Sequence, residues 1–109
     1  MRILIDECLP KQLKTWLAGK HHAYTMQEMN LANIKNGKLL HLTNEFSFDI
    51  FITADKNMYF QQNFAELQIA CIVIPSNRKI LVQKSVSALL LLKRRTIVDI
   101  RAIKHFALR

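Results

Sequence analysis

Two stretches of the chain decide its fold: ILIDECLP at residues 3–10 and FDIFITADK at residues 48–56. Each contains a short apolar run, which predicts a strand buried in a sheet. Each also places an acid just past that run, Asp6 in the first stretch and Asp55 in the second. The carboxyl ends of parallel strands line one crevice of an open α/β sheet. We therefore expect the two carboxylates to converge there.

Strands and helices alternate outward from these stretches. The pattern predicts strands at Arg2–Ile5, His22–Met26, Ile50–Thr53, Ile69–Ile74 and Thr96–Ile100, and helices from Pro10 to Gly19, Asn36 to Phe46, Met58 to Leu67 and Ile80 to Arg95. Such alternation with short connections is typical of a three-layer α/β/α sandwich around a mostly parallel sheet, here of five strands. We expect a single domain over residues 1–109.

The composition favours a globular protein of a reducing compartment. Half of the residues are hydrophobic, and only two are cysteines, too few for a disulfide scaffold. The apolar run Ile3–Ile5 is cut off by two acids, which argues against a secretory signal. Even the long apolar runs, such as Ala88–Leu92, are far shorter than the ~20 residues of a membrane span. The expectation is a cytoplasmic protein without membrane contact.

The net charge of +8 is concentrated in the last third of the chain. Residues 1–77 contain seven Lys/Arg and seven Asp/Glu, whereas residues 78–109 contain nine Lys/Arg and one Asp. Such asymmetry favours a polyanionic or acidic partner. The alternative is a solvated basic face that keeps the protein soluble.

The acids that follow the strands suit a hard divalent cation. Mg²⁺ or Mn²⁺ binds carboxylate oxygens and water, so Asp6 and Asp55 are the expected metal ligands. Glu7 joins them only if the first strand has already ended, because successive strand residues point to opposite faces. Asn57 would add a carbonyl oxygen or orient water. The alternative is that Asp6, Asp55 and Asn57 merely cap turns or helices.

Lys38 has the opposite sign and stands in the first turn of a predicted helix, where a cation opposes the helix dipole. Residues that break a local rule tend to mark functional positions. One interpretation is an ammonium group that pairs with Asp6 and Asp55 or replaces a metal. The other is an exposed lysine without a role.

The sequence Ser76-Asn77-Arg78 follows the fourth predicted strand and should lie on the same crevice edge. The planar guanidinium of Arg78 suits a phosphate group. The alternative is that Ser76 and Asn77 serve only to start the next helix.

Three of these stretches resemble the small bacterial PIN-like family of the Mut7-C type: residues 3–10, residues 48–56, and IVIPSNR at residues 72–78. The resemblance implies a metal-dependent ribonuclease fold, with Asp6 as the first acid and Asp55 as the strand-three acid around Mg²⁺ or Mn²⁺. Lys38 stands where relatives carry an acid, and Asn57 where many carry a second Asp. The resemblance therefore implies one metal ion rather than two.

A second resemblance is to response-regulator receivers, which also place acids after strands one and three. Receivers need a Lys after strand five, whereas Ile100 is followed by Arg101-Ala102 here. The PIN-like resemblance is therefore preferred.

The function expected from this resemblance is hydrolysis of RNA phosphodiesters by the toxin component of a bacterial toxin–antitoxin pair. The alternative is a catalytically degenerate PIN-like domain that binds RNA or protein. Expected partners are RNA, a cognate antitoxin protein and a second copy of the chain through the helix at residues 80–95. The expected catalytic residues are Asp6, Asp55 and Glu7, and the expected substrate-binding residues are Ser76, Asn77, Arg78, Lys38 and Asn57.

Overall fold

A parallel sheet forms the centre of the protein in a computed structural model that describes residues 1–34, 36–55, 69–91 and 106–107. Its four main strands lie in the order β2-β1-β3-β4. Their bounds are β1 Arg2–Ile5, β2 His22–Thr25, β3 Ile50–Thr53 and β4 Ala70–Val73. The two-residue segment Phe106–Ala107 pairs in parallel with β4 at the edge. The predicted strand Thr96–Ile100 lies outside the described residues, so that strand stays a prediction.

Apolar side chains on both faces explain why these short segments pair in the middle of the protein. Ile3 and Ile5 of β1 point to one face, while Leu4 between them points to the other. The same alternation holds in β3, where Ile50 and Ile52 flank Phe51. Parallel strands covered on both faces read as continuous hydrophobic runs. This is the reason that the sequence revealed β1, β3 and β4.

Helices cover both faces of the sheet. Helices α1 (Gln12–Leu17), α3 (Lys79–Lys84) and α4 (Val86–Leu90) pack on one face through Leu13, Leu17, Val82 and Leu89. Helix α2 (Asn36–Glu45) packs on the other face through Leu39, beside Met26 and Leu31 of the preceding loop. Full burial of each such side chain stabilises the fold by about 1.5–3 kcal/mol. The α/β prediction with a parallel sheet is confirmed.

Three details of the predicted helices need correction. The first helix begins at Gln12 rather than at Pro10, because the Pro10 carbonyl oxygen instead closes a turn with the Leu13 N–H. It ends at Leu17, and Gly19 does not adopt a positive φ. The predicted continuous helix from residue 80 is interrupted at Ser85, whose N–H bonds to the Val82 carbonyl oxygen three residues back. The predicted helix from Met58 to Leu67 lies outside the described residues.

His21 joins the segment before β2 to helix α4. The residue is buried, and its Nε2 lies 3.0 Å from the Leu89 carbonyl oxygen. Because a carbonyl only accepts, Nε2 carries the proton and Nδ1 of the neutral ring is left as an acceptor. Nδ1 is buried and has no hydrogen-bond partner in the described part of the chain. Burial lowers the pKa of His21, and the positive N-terminus and Lys20 lower it further, against the opposing effect of the Leu89 carbonyl.

This burial predicts a loss of stability in mild acid. The folded-state pKa of His21 lies below the ordinary 6.5, so the unfolded chain takes up the proton first as the pH falls. The stabilisation is therefore complete above about pH 6.5 and declines below it. Urea unfolding at about pH 7.5 and pH 5 measures the decline. The loss of unfolding free energy between the two pH values should be smaller in His21→Gln. It should be unchanged in the control His22→Gln, since His22 is exposed. A slope in His21→Gln equal to that of the wild type would contradict this assignment.

No helix within the described ranges combines the length and the apolar character needed to cross a membrane.

Candidate functional site

The two predicted acids lie at the edge of the sheet where the strand order reverses. From β1 the chain first adds β2 on one side of the sheet and then β3 on the other. The carboxyl ends of β1 and β3 therefore flank a topological switch point, the place where open α/β sheets bind ligands. Asp6 follows β1 directly, and Asp55 follows β3 by two residues. The neighbouring position of the two strands, which the sequence left open, brings both acids to one edge.

The hydroxyl group of Thr53 connects the two acidic segments. Thr53 is the last residue of β3 and is fully buried. Its Oγ1 donates to Oδ2 of Asp6 at 2.5 Å and accepts the backbone N–H of Asp55 at 3.0 Å. A hydroxyl offers one donor and two acceptor sites, so a single atom serves both contacts. A short hydrogen bond to a carboxylate is also among the stronger ones.

Backbone hydrogen bonds fix Asp6 as well. Its N–H donates to the Ile52 carbonyl oxygen at 2.9 Å, which continues the β1–β3 pairing one residue past β1. Its own carbonyl oxygen accepts the N–H of Leu9 at 3.1 Å and closes a turn. Helix α1 has no side-chain cap, so Asp6 is not the helix cap that the alternative interpretation required. Its carboxylate is half-buried and points to Thr53.

Cys8 is an exposed thiol beside the same hydroxyl, with 4.0 Å between its Sγ and Thr53 Oγ1. Partial burial raises the pKa of Cys8 despite an opposing backbone hydrogen bond from Ala54, and the negative charge of Asp6 raises it further. The thiol therefore stays protonated at neutral pH. It is a neighbour of the carboxylates rather than a nucleophile.

The buried thiol of Cys71 lies within electrostatic reach of both acids. This cysteine lies in β4 and is fully buried. Burial raises its pKa to about 12, and the negative charges of Asp6 and Asp55 both contribute. The fields of the two carboxylates thus overlap at one thiol.

The loop after β4 forms the opposite wall of a crevice of about 450 Å³. Arg78 stands on this wall and is exposed, while Asp55 and Cys8 stand on the other. The Ser76 hydroxyl accepts the backbone N–H of Arg78 at 3.1 Å, which fixes the loop just before α3. No side chain caps α3 itself. The crevice is lined by Cys8, Ala54, Asp55, Pro75, Ser76, Asn77 and Arg78.

Three other predicted site residues lie apart from this crevice or outside the description. Glu7 is exposed, and its Oε1 lies 3.5 Å from the backbone N–H of Asn33, away from Thr53. Lys38 is exposed in the first turn of α2, on the face of the sheet that Leu39 covers. Among the described residues the ion pair is Lys14–Glu28, so Lys38 forms no salt bridge with Asp6. Asn57 lies outside the described residues.

The two acids at this edge of the sheet are the kind of ligand that one hard divalent cation prefers. Mg²⁺ usually keeps several waters and binds through one or two carboxylates plus a substrate phosphate. Asp6 and Asp55 supply two carboxylates, and the Thr53 hydrogen bond occupies only one oxygen of Asp6. Over the ranges that the structure describes, no group of three or more His, Cys, Asp or Glu residues could hold a metal. The arrangement therefore does not offer a two-ion site there.

Thr53 is the site residue that sequence reasoning missed. A β-branched residue at the end of an apolar run is typical of a strand, so the pattern did not single out its hydroxyl as part of a site. The available signal was its spacing, two residues before a predicted site acid.

Comparison of the chain with protein-family models, with curated proteins and with solved structures finds no significant match. The PIN-like resemblance of the sequence therefore stays a prediction.

Proposed function

We propose that the crevice binds the phosphodiester backbone of RNA and hydrolyses it with one divalent ion held by Asp6 and Asp55. The observation that carries the proposal is the Thr53 hydrogen-bond pair, which ties both acidic segments to one buried hydroxyl at the switch point of the sheet. A protein gains little stability from two like charges held at one edge, whereas a cation site requires such an arrangement.

Each wall of the crevice has a distinct role in this proposal. On the β4 side, the Arg78 guanidinium pairs with a phosphate, while Ser76 and Asn77 offer hydrogen bonds to neighbouring oxygens. On the β1–β3 side, Thr53 holds the Asp6 carboxylate in place for the ion. A bound Mg²⁺ or Mn²⁺ supplies a polarised phosphoryl oxygen and a water of lowered pKa. Glu7 and Lys38 do not line the crevice and have no role in this proposal.

The charge distribution supports a polyanionic substrate. The excess of eight positive charges over residues 78–109 begins at Arg78, on the crevice wall. Basic residues that neutralise phosphates provide affinity that is independent of nucleotide sequence. We therefore expect binding that weakens steeply as the salt concentration rises.

The finer parts of the proposal rest on the sequence resemblance. They are a PIN-like fold with five strands, the role of toxin in a bacterial toxin–antitoxin pair, a cognate antitoxin as partner, and a cytoplasmic location. The two free cysteines accord with a reducing compartment. A neighbouring gene for a small DNA-binding protein would support the toxin assignment.

A second candidate is an RNA-binding domain without catalysis. The observation in its favour is the acidic set itself, since Asp6 and Asp55 are two carboxylates where a two-ion nuclease needs more. In this version Arg78 and the basic last third bind RNA and nothing is cleaved.

Cleavage of a labelled single-stranded RNA tests the proposal. The wild-type protein should cleave it with Mg²⁺ or Mn²⁺ and should stop when a chelator removes the ion. Retarded but intact RNA under all conditions would support the second candidate instead. Cleavage that is unaffected by the chelator would contradict both.

A further inference from the structure

A second, smaller cavity lies next to the crevice, on the surface of α3. We call it the α3 groove; it has a volume of about 280 Å³ and is lined by Ile74, Pro75, Ser76, Leu81, Lys84 and Ser85. Its floor is aliphatic, and Lys84 stands at its rim. The groove shares Pro75 and Ser76 with the crevice, and Ile74 also belongs to the core, but Leu81 and Ser85 have no part in the proposed hydrolysis.

Large apolar side chains are exposed on α3 and just past α4, and one of them lines the α3 groove. Leu81 of the groove is 37% exposed, Ile80 on the same helix 62% and Leu91 after α4 69%. Single exposed apolar residues are ordinary, but an exposed apolar residue that lines a cavity with a charged residue beside it is typical of an interaction site.

The charge of this surface has one sign. Arg78, Lys79 and Lys84 are exposed along α3 and at its start, and residues 69–91 contain no Asp or Glu. The natural complement is therefore a negatively charged surface that also carries apolar side chains.

Two other occupants fit less well. A second copy that used the same patch in a two-fold interface would bring Arg78, Lys79 and Lys84 against their own counterparts. RNA finds no aromatic ring among the residues that line the groove, and aliphatic side chains offer no stacking platform for bases.

We infer that the α3 groove is a docking site for an acidic, amphipathic segment of a partner protein. An aliphatic side chain of the partner enters the groove against Pro75 and Leu81, and its carboxylates meet Lys84 in the groove and Lys79, which is exposed at the start of α3. Such recognition follows the general mode in which an amphipathic segment places its apolar face in a groove. This inference rests on the proposed function in one respect, because it names the surface on which the protein partner of that proposal would bind. It does not require that the crevice cleaves RNA.

The test uses three fluorescein-labelled peptides of equal length in anisotropy titrations: (Leu-Glu-Glu)₄, (Leu-Lys-Lys)₄ and (Ser-Glu-Glu)₄. The full-length protein should bind the first peptide and bind the other two at least about tenfold more weakly. Equal binding of the first and third peptides would overturn the inference, because net charge alone would then explain it. Failure of the first peptide to bind at millimolar protein would also overturn it.

Matched protein variants locate the site. Lys84→Glu and Leu81→Ser should each weaken (Leu-Glu-Glu)₄ binding by about tenfold. Lys20→Glu changes the net charge as much as Lys84→Glu, but lies in the turn before the edge strand β2 and should leave binding within about twofold. An equal effect of both charge reversals would contradict the assignment. So would a dimer, seen by sedimentation, that excludes the peptide, or RNA that competes for the groove.

The same variants separate this inference from the proposed hydrolysis. Leu81→Ser should lose the peptide and keep any RNA cleavage, whereas Asp6→Asn should lose cleavage and keep the peptide. Loss of the peptide in Asp6→Asn at unchanged stability would place the peptide in the crevice and overturn the inference.

Discussion

Asp6→Asn is expected to lower the rate of RNA cleavage at least about a hundredfold, equivalent to about 2.7 kcal/mol of transition-state stabilisation. The substitution keeps the shape of the side chain and removes the charge that a divalent ion requires. Asparagine still offers a carbonyl oxygen to the Thr53 hydroxyl, so the hydrogen bond now donated to Oδ2 of Asp6 has an acceptor. The loss should therefore come from charge rather than from unfolding.

A control for this prediction is Glu7→Gln, which removes a neighbouring negative charge. Glu7 is exposed and its carboxylate lies near Asn33 rather than Thr53, so its variant should cleave RNA within a few-fold of the wild type. Unfolding midpoints of both variants show whether each is folded. Equal cleavage by the wild type and Asp6→Asn would refute the proposed hydrolysis. If Glu7→Gln lowers the cleavage rate as much as Asp6→Asn does, Glu7 is a catalytic residue after all.

Thr53→Val is expected to destabilise the protein by about 2–4 kcal/mol although valine has nearly the same shape. It removes the donor to Asp6 and the acceptor of the Asp55 N–H together. Each group left without its partner costs about 1–3 kcal/mol, and a charged group costs more. Water does not reach the position of the hydroxyl, because Thr53 is fully buried.

Two matched variants serve as controls when the free energy of unfolding is measured in urea. Thr53→Ser keeps the hydroxyl and should lose only about 1 kcal/mol, the cost of a buried methyl group. Thr25→Val removes a hydroxyl that accepts the Glu28 N–H at an exposed turn, and should cost about 0.5–1 kcal/mol. If Thr53→Val costs no more than Thr25→Val, the buried hydroxyl does not organise the site.

The sequence predicted those elements whose residues are dictated by local physics. Ile3–Ile5 and Ile50–Thr53 are apolar on both faces of a parallel sheet, so hydrophobic runs and strands coincide. The acids that follow these strands could be predicted as site residues, because the ends of the strands could be predicted. The order of the strands could not be predicted, because periodicity describes one segment at a time and does not say which segments become neighbours.

The features that the sequence did not reveal depend on tertiary contacts. The interruption at Ser85 follows from a single backbone hydrogen bond to Val82 within a stretch of continuous helical periodicity. The role of Thr53 depends on β1 and β3 lying side by side, which brings a threonine at one strand end to an aspartate at the other. The prediction of Glu7 as a catalytic residue rested on its position next to Asp6. The chain turns after Asp6, so the two acids contact different neighbours.

Titration calorimetry with Mn²⁺ tests most directly whether Asp6 and Asp55 form one cation site. The account predicts one ion per chain for the wild type and no binding by either Asp6→Asn or Asp55→Asn, whereas Lys38→Glu, at a residue outside the crevice, should bind the ion as the wild type does. Absence of binding by the wild type, with binding gained only in Lys38→Glu, would contradict the account and favour a degenerate, non-catalytic domain.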